Sequence, residues 1–394
     1  MKKSLIALAA LAATASFAQS TVEIYGGLDI GLGQVKGGQA GLNNTSYIVP
    51  ASQSATGLGN VFTRNGLTAN FIGFRGTEDL GGGMKAFFDL QSGNLDTSTG
   101  STALRFDREA HLGLAGSFGS LKLGRSVSTM CSVGCSFDYN NIGAGNAYAL
   151  NGLSPASIRD SSRRANQIEL TLPTMGGLTA RVATMMKGDA IEDSTFSTGV
   201  GAATGVNYKA AYALGLNYAN GPVRAGYAFE TPPSDTAGKR NAQYAVAEYD
   251  FGVAKANISY TVNPTTGGGS KVGSTVLSSA AGATSGKGVG LGVAVPVGAT
   301  TFGVQWSNNT ENQTKATELF ARYSLSKRTM LYTYYAVTSG VAAKPATTFN
   351  TADGSNGTTP VITASATFGN INAYGIGAIP ANPTVFGLGV RHSF

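Results

Sequence analysis

This chain has little charge, little cysteine, little histidine and almost no tryptophan, and each shortage removes a class of function. Asp, Glu, Lys and Arg make up only 12% of its 394 residues. With a mean hydropathy of +0.02, it is too apolar to stay disordered. Its formal charge of +7 is not gathered into any Lys/Arg block interleaved with aromatics, so nucleic acid is not an expected partner. The two histidines, His111 and His392, make no zinc site with Cys131 and Cys135, and no nucleophile–base–orienter set can be assembled around them. His111 shares a strand face with Glu109, but that spacing places no Ser nucleophile. The chain therefore reads as a non-enzyme with no metal and no cofactor. Cys131 and Cys135 lie four apart in a polar, Gly-rich stretch. An oxidising compartment favours a local disulfide between them over two reduced thiols.

Long apolar runs are also missing. Leu5 to Ala13 is apolar, but it follows Met1-Lys2-Lys3 and precedes Ser16-Phe17-Ala18, the layout of a secretory signal cleaved after Ala18. A spanning helix needs roughly 20 apolar residues, and no segment supplies them. Residues 1–18 are expected to be removed, leaving 19–394 as one domain whose charge is +5, since the total of +7 loses Lys2 and Lys3. An exported chain with no spanning helix can cross a membrane only with strands.

What is abundant is Gly (55), Phe (18) and Tyr (16), together with an alternation of period two. Around Thr21 to Gly33, Val22, Ile24, Leu28, Ile30 and Leu32 share one face, while Glu23, Tyr25 and Asp29 share the other. Hairpins follow at about 67–78 with 84–91, 107–116 with 119–126, 163–173 with 177–187 and 206–219 with 222–231. Three more are expected at 242–250 with 253–262, 287–296 with 299–308 and 316–325 with 328–338. Seven hairpins with a first and a last strand make sixteen strands. Turns inside hairpins are short, as at Asn220-Gly221, whereas the links 34–66, 264–286 and 339–382 are long and rich in Gly, Ser, Thr and Asn. This asymmetry predicts an all-β fold, a transmembrane 16-stranded antiparallel β-barrel with aromatic girdles. Even parity puts both ends on the short-turn side, where the first and last strands pair and remove the edges. A soluble sandwich would need two apolar inner faces, but the second face here carries Lys, Arg, Glu, Asp and Gly.

The last strand alternates Phe386, Leu388, Val390, His392 and Phe394 with small or polar residues and stops on an aromatic. It resembles the C-terminal sorting strand of Gram-negative outer-membrane proteins, which makes Phe394 the expected assembly signal. Further stretches are Val22-Glu23-Ile24-Tyr25-Gly26-Gly27-Leu28-Asp29, Gly73-Phe74-Arg75-Gly76-Thr77-Glu78-Asp79-Leu80-Gly81-Gly82-Gly83, His111-Leu112-Gly113-Leu114-Ala115-Gly116-Ser117-Phe118-Gly119 and Leu123-Gly124-Arg125. In this order, the chain resembles a general porin of the beta-proteobacterial type. The resemblance implies an outer-membrane homotrimer, set in outer-membrane lipid and lipopolysaccharide and delivered by the barrel-assembly machinery. Each barrel would hold a water-filled pore for small ions and hydrophilic solutes, narrowed by an inward-folded third external loop at about 126–162. The resemblance also places a basic pore-lining residue at Arg125. One position departs: relatives carry a base four residues before the position of Arg75, where this chain has Phe71, so one member of the expected basic ladder is either absent or replaced from elsewhere, with Arg64 and Arg105 the candidates.

Alternation turns the bases Arg75, Lys85, Arg181, Lys187, Lys209, Arg224, Lys255, Arg322 and Arg391 inward, with the acids Glu23, Asp29, Asp89, Glu109, Glu169, Glu230, Glu248, Asp250 and Glu318. The wall is close to balanced, so selectivity is expected to be settled at the narrowest point. The expected pore-lining set is Arg75, Arg125, Asp138, Arg163, Arg181 and Arg322. Asp138 is the only acid between Ser126 and Arg159, and Arg159, Arg163 and Arg164 crowd the loop's return, which favours a weak preference for anions. The rival reading is a substrate-specific channel for a small organic anion, a sugar or phosphate. A surface adhesin is a weaker rival, because it would need no wet, charged inner face.

Overall fold

A computed structural model describes residues 21–36, 59–64, 66–93, 95, 104–141, 145–156, 158, 162–186, 210–232, 241–264, 271–272, 275–276, 286–311, 313–340 and 384–394. The expected signal segment 1–18 and residues 341–383 of the last long link lie outside them. Sixteen wall strands run in chain order: β1 (Thr21–Lys36), β2 (Phe71–Gly81), β3 (Met84–Ser92), β4 (Glu109–Gly116), β5 (Gly119–Val127), β6 (Arg163–Thr171), β7 (Leu178–Met185) and β8 (Ala211–Asn220). They continue as β9 (Val223–Glu230), β10 (Ala242–Asp250), β11 (Lys255–Asn263), β12 (Gly286–Val297), β13 (Thr300–Asn309), β14 (Thr314–Ser324), β15 (Thr329–Ser339) and β16 (Thr384–Ser393). Each is antiparallel to its neighbours, and β1 pairs with β16 from Gly27↔Ser393 to Lys36↔Thr384. Gly26 and Phe394 exchange backbone hydrogen bonds of 3.1 Å. The sheet is therefore closed, and no wall edge is left for another chain to pair with.

The alternation read from the sequence decides which side chains meet lipid. Val22, Ile24, Ile258, Val293, Leu319 and Leu388 are all exposed, while their neighbours along each strand turn inward. Phe118, Tyr218, Tyr249, Phe251, Tyr323 and Phe394 are exposed close to the short-turn end, the place for an interfacial aromatic girdle. The short turns use left-handed backbone, as at Gly221 with φ 57, which an Asn-Gly hairpin turn requires. No described helix is long and apolar enough to cross a membrane.

Two features of the long links were not foreseen. The pair Lys271–Val272 and Thr275–Val276 forms a small separate hairpin. More importantly, β2 pairs with β1 only as far as Gly27↔Phe71, which leaves the rest of a 16-residue strand short of a partner. Gly59–Arg64 supplies one, pairing with Ile30–Val35, and residues 66–70 connect it to β2. Among the described residues, buried apolar side chains gather in one cluster around Met130, Val133, Phe137 and Tyr244, another around Leu67, Tyr139, Phe320, Tyr332 and Tyr334, and a small third of Ala183, Met185, Ala211 and Ala213.

Candidate functional site

The segment between β5 and β6 builds the centre of the site. Ser128 caps α1 (Thr129–Gly134), its Oγ accepting from Cys131 N at 3.2 Å. A 3-10 turn, Cys135–Phe137, follows, and Cys131 and Cys135 are joined by a disulfide. Asn146 caps α2 (Ala147–Leu150), its Oδ1 accepting from Ala149 N at 2.9 Å. Short helices of this kind are marginal alone. Here their backbone groups are satisfied by the wall: Asn257 Nδ2 donates to Phe137 O (2.7 Å), Thr261 Oγ1 to Leu153 O (2.9 Å) and Asn263 Nδ2 to Gly152 O (3.1 Å). From β13, Ser307 Oγ donates to Ala147 O (2.8 Å) and Asn309 Nδ2 to Asn151 O (2.9 Å), while Tyr139 N donates to Gln305 Oε1 (3.1 Å).

These wall residues escaped the sequence reading. Their signal was present as two period-two stripes of short, uncharged polar side chains: Asn257, Ser259, Thr261 and Asn263 on β11, and Gln305, Ser307 and Asn309 on β13. A face meant only for water tolerates charge, whereas a face meant to hold a peptide backbone needs compact donors and acceptors.

At the middle of the segment lies a buried acidic knot. Asp138 accepts from Asn146 Nδ2 at 2.6 Å, from Asn140 N at 3.2 Å and from Gln305 Nε2 at 3.1 Å. The same Gln305 Nε2 donates to Glu318 Oε2 at 3.0 Å, and Glu318 also accepts from Asn140 Nδ2 and, at 3.2 Å, from Ala147 N. One amide thus joins a loop acid to a wall acid. Burial pushes the Asp138 carboxyl up to about 7, although its hydrogen bonds and the charge of Arg322 work against this. Asp138 was expected to line the pore. Instead it is 6% exposed, because the Asn140 N–H and the side-chain amides of Asn146 and Gln305 close over its oxygens.

The expected bases divide between two parts of the wall. Arg75 on β2 is half exposed, stacks over the Tyr25 ring at 4.5 Å and pairs with Glu23 at 2.8 Å. Arg125 on β5 donates from Nε to Asp107 O. The ladder slips between Gly124 and Ser126 and Asn166 is left-handed with φ 51, an irregularity that re-aims side chains. There Arg163 reaches Glu109 at 3.3 Å, while Arg164 next to it pairs with Glu230 at 2.9 Å and is buried. Arg75, Arg125 and Arg163 thus stand on one stretch of wall, β2 to β6. Arg181 and Arg322 do not join them. Arg181 lies on β7 beside Asn217 (3.4 Å), and Arg322 lies on β14 over the Phe320 ring at 5.2 Å.

At Phe71, where a base was expected to be missing, a different arginine comes close. Arg108 sits over the Phe71 ring at 4.9 Å, with Nε reaching Gln91 Oε1 at 3.4 Å. The Arg64 side chain lies outside the described residues, and Arg105 is exposed and uses its backbone N to reach Ser92. An aromatic ring holds a guanidinium that comes from the next hairpin, just before β4 begins.

The even balance expected of the wall does not survive burial. Among the described residues, the buried charged side chains are seven acids (Asp29, Glu109, Asp138, Glu169, Glu230, Glu248 and Glu318) and one base (Arg164). Lys122 pairs with Glu169 at 3.0 Å and Arg224 with Glu248 at 2.8 Å, and in both pairs the base is the more exposed partner. Among the described residues, the charge left in contact with water is therefore more basic than the charge that is buried.

A family model described as Gram-negative porin matches residues 5–343. Outer membrane porin protein 32 of Delftia acidovorans is 33% identical over 263 residues, covering 65% of this chain and 68% of that protein. An outer membrane porin protein of Bordetella pertussis is 29% identical over 374 residues, covering 85% of this chain and 93% of that protein. Among solved structures, an anion-selective porin from Comamonas acidovorans matches with a TM-score of 0.62 at 21% identity, covering 95% of this chain and all of that one.

Proposed function

The chain belongs to the Gram-negative porin family, and on that premise we propose that it forms a weakly anion-selective, water-filled channel for passive diffusion of small hydrophilic solutes. It is an outer-membrane porin. The finer reading is that segment 126–162 folds into the barrel as the constriction, that three copies assemble, and that ions pass between this segment and β2 to β6. Signal cleavage after Ala18, recognition of Phe394 by the assembly machinery and contact with lipopolysaccharide belong to the same reading.

The observation that carries the anion preference is the unequal burial of charge, seven acids against one base among the described residues. Two unit charges about 4 Å apart interact by roughly 1 kcal/mol in water and several-fold more at lower effective dielectric. Bases at the water surface thus act on a passing ion more strongly than acids that are paired and covered. The test is the reversal potential across a KCl gradient for wild type and Arg125→Ser. Wild type should favour chloride, and Arg125→Ser should reduce that preference. The preference should fade with salt, as the screening length falls from about 10 Å at 0.1 M to about 3 Å at 1 M. A cation-selective wild type would refute this reading.

One observation favours a substrate-specific channel as a second reading. A cavity of about 300 Å³ opens beside Arg75, lined by Glu23, Thr77, Phe87, Asp89 and His111. Saturable block of KCl current by one small organic anion or sugar would support that alternative. A current reduced only in proportion to solute size would support the general pore.

A further inference from the structure

Residues 66–70 leave the wall and turn inward as a short hook. Its backbone is tied to one carboxylate: Leu67 N and Thr68 N donate to Asp29 Oδ2 at 2.6 and 2.8 Å. The hook ties back through Asn70, whose Oδ1 accepts from Asp29 N at 2.6 Å. Asp29 is 1% exposed and Leu67 fully buried. The other carboxylate oxygen, Oδ1, accepts from Tyr332 Oη at 2.6 Å. A Cβ on Gly66 would overlap that same hydroxyl, so only glycine lets the hook pass beneath it.

Tyr332 connects the hook to the loop. Its ring stacks on Tyr334, centroids 6.1 Å apart and planes 4° from parallel. Tyr334 in turn lies under the loop: a Cβ on Gly145 would overlap its ring. Leu67 of the hook and Tyr139 of the loop belong to one buried apolar cluster with both tyrosines. Two inward segments, from different links, therefore rest on one tyrosine pair.

We propose that Asp29 is a positioning residue for the channel: it fixes the hook 66–70 and the Tyr332–Tyr334 pair, and through that pair sets where the loop segment around Gly145 stands. This rests on the reading of segment 126–162 as the constriction. Asp29 touches no passing ion, and its effect is transmitted by a contiguous set of packed groups. Tyr332→Phe removes the hydroxyl that Asp29 accepts from but keeps the stacked ring.

The experiment compares wild type, Asp29→Ala, Tyr332→Phe and Gly145→Ala as purified, folded porin in planar bilayers, with single-channel conductance, current noise and KCl reversal potential as readouts. Asp29→Ala and Tyr332→Phe should each change conductance by about 1.5-fold, increase open-channel noise and lower the anion-to-cation permeability ratio by about twofold. The pair Tyr332→Phe with Gly145→Ala should change these quantities by less than the product of the single effects, as coupled sites do. If Asp29→Ala does not fold, Tyr332→Phe decides. A folded Tyr332→Phe channel with wild-type conductance, noise and permeability ratio overturns the proposal, as do effects that multiply. Wild-type protein that forms no channels at all instead removes the porin reading on which it rests.

Discussion

The inner wall has two halves that use the same polar face differently. From β7 to β15 it is covered: Asn257, Thr261, Asn263, Gln305, Ser307 and Asn309 bind the loop's backbone, and Glu230, Glu248 and Glu318 lie beneath it. From β2 to β6, Arg75, Lys85, Arg108, Arg125 and Arg163 keep some contact with water. Alternation alone makes both halves simply polar. What separates them is the pair of stripes of short polar side chains on β11 and β13, which meet the loop's backbone. Short amides and hydroxyls hold a peptide close, as Asn257, Thr261, Ser307 and Asn309 do here.

The strongest way to break the comparison is to cut one buried pair that ties β6 to the covered half and one exposed pair within the open half. Arg164→Met strands Glu230, which is 1% exposed, and takes away a donor to Ile158 O at 3.2 Å. Losing one partner of a buried pair costs about 3–5 kcal/mol. Arg75→Met removes a half-exposed partner of Glu23, and such pairs contribute little to stability. Urea unfolding of refolded protein should show a large drop in midpoint for Arg164→Met and none beyond error for Arg75→Met. Equal drops would erase the distinction between halves.

A weaker effect sharpens the comparison through permeation. Glu23 on the open half is half exposed, whereas Glu318 on the covered half is fully buried. Glu23→Gln should raise the anion-to-cation permeability ratio by about 1.5-fold, and Glu318→Gln should leave it unchanged within about 20%. The measurement is again the KCl reversal potential. A larger shift from Glu318→Gln would mean that covered acids do speak to the pore.

The wall was legible in the sequence because period two and short turns are local signals. The expected hairpins meet the observed strands within a few residues, as at 242–250 against Ala242–Asp250. Arg75, named from alternation, Arg125, named from the resemblance, and Arg163, named from the loop's return, stand on neighbouring strands, β2 to β6. What stayed hidden depends on contacts far apart in the chain. Asp138 finds Gln305, and Asp29 finds Tyr332. No local pattern announces that a loop acid will be buried by a strand more than a hundred residues on. Arg108 over Phe71 is similar: only the register of β2, β3 and β4 shows which arginine stands over that ring.

The smallest expected effect concerns pH, and it tests whether the covered half is held by the proton on Asp138. Burial pushes Asp138 from an ordinary value of 3.8 up to about 7. The docked state therefore keeps a proton that an undocked, hydrated Asp138 would release. Its contribution to docking is complete below the ordinary value, declines as pH rises through the interval, and is lost above about 7. The groups that face Asp138 are Glu318 and Arg322 on β14, Tyr244 on β10 and Tyr148 on α2. Glu318 adds a like charge and Arg322 an opposite one, so the loosening is moderated rather than abrupt. Open-channel current noise should rise modestly, by well under twofold, between about pH 5 and pH 8 in wild type. Asp138→Asn has no proton to lose, so its noise should stay flatter over that range. If noise falls with pH in wild type, or if both proteins trace the same curve, the carboxyl of Asp138 is not what holds the loop against the wall.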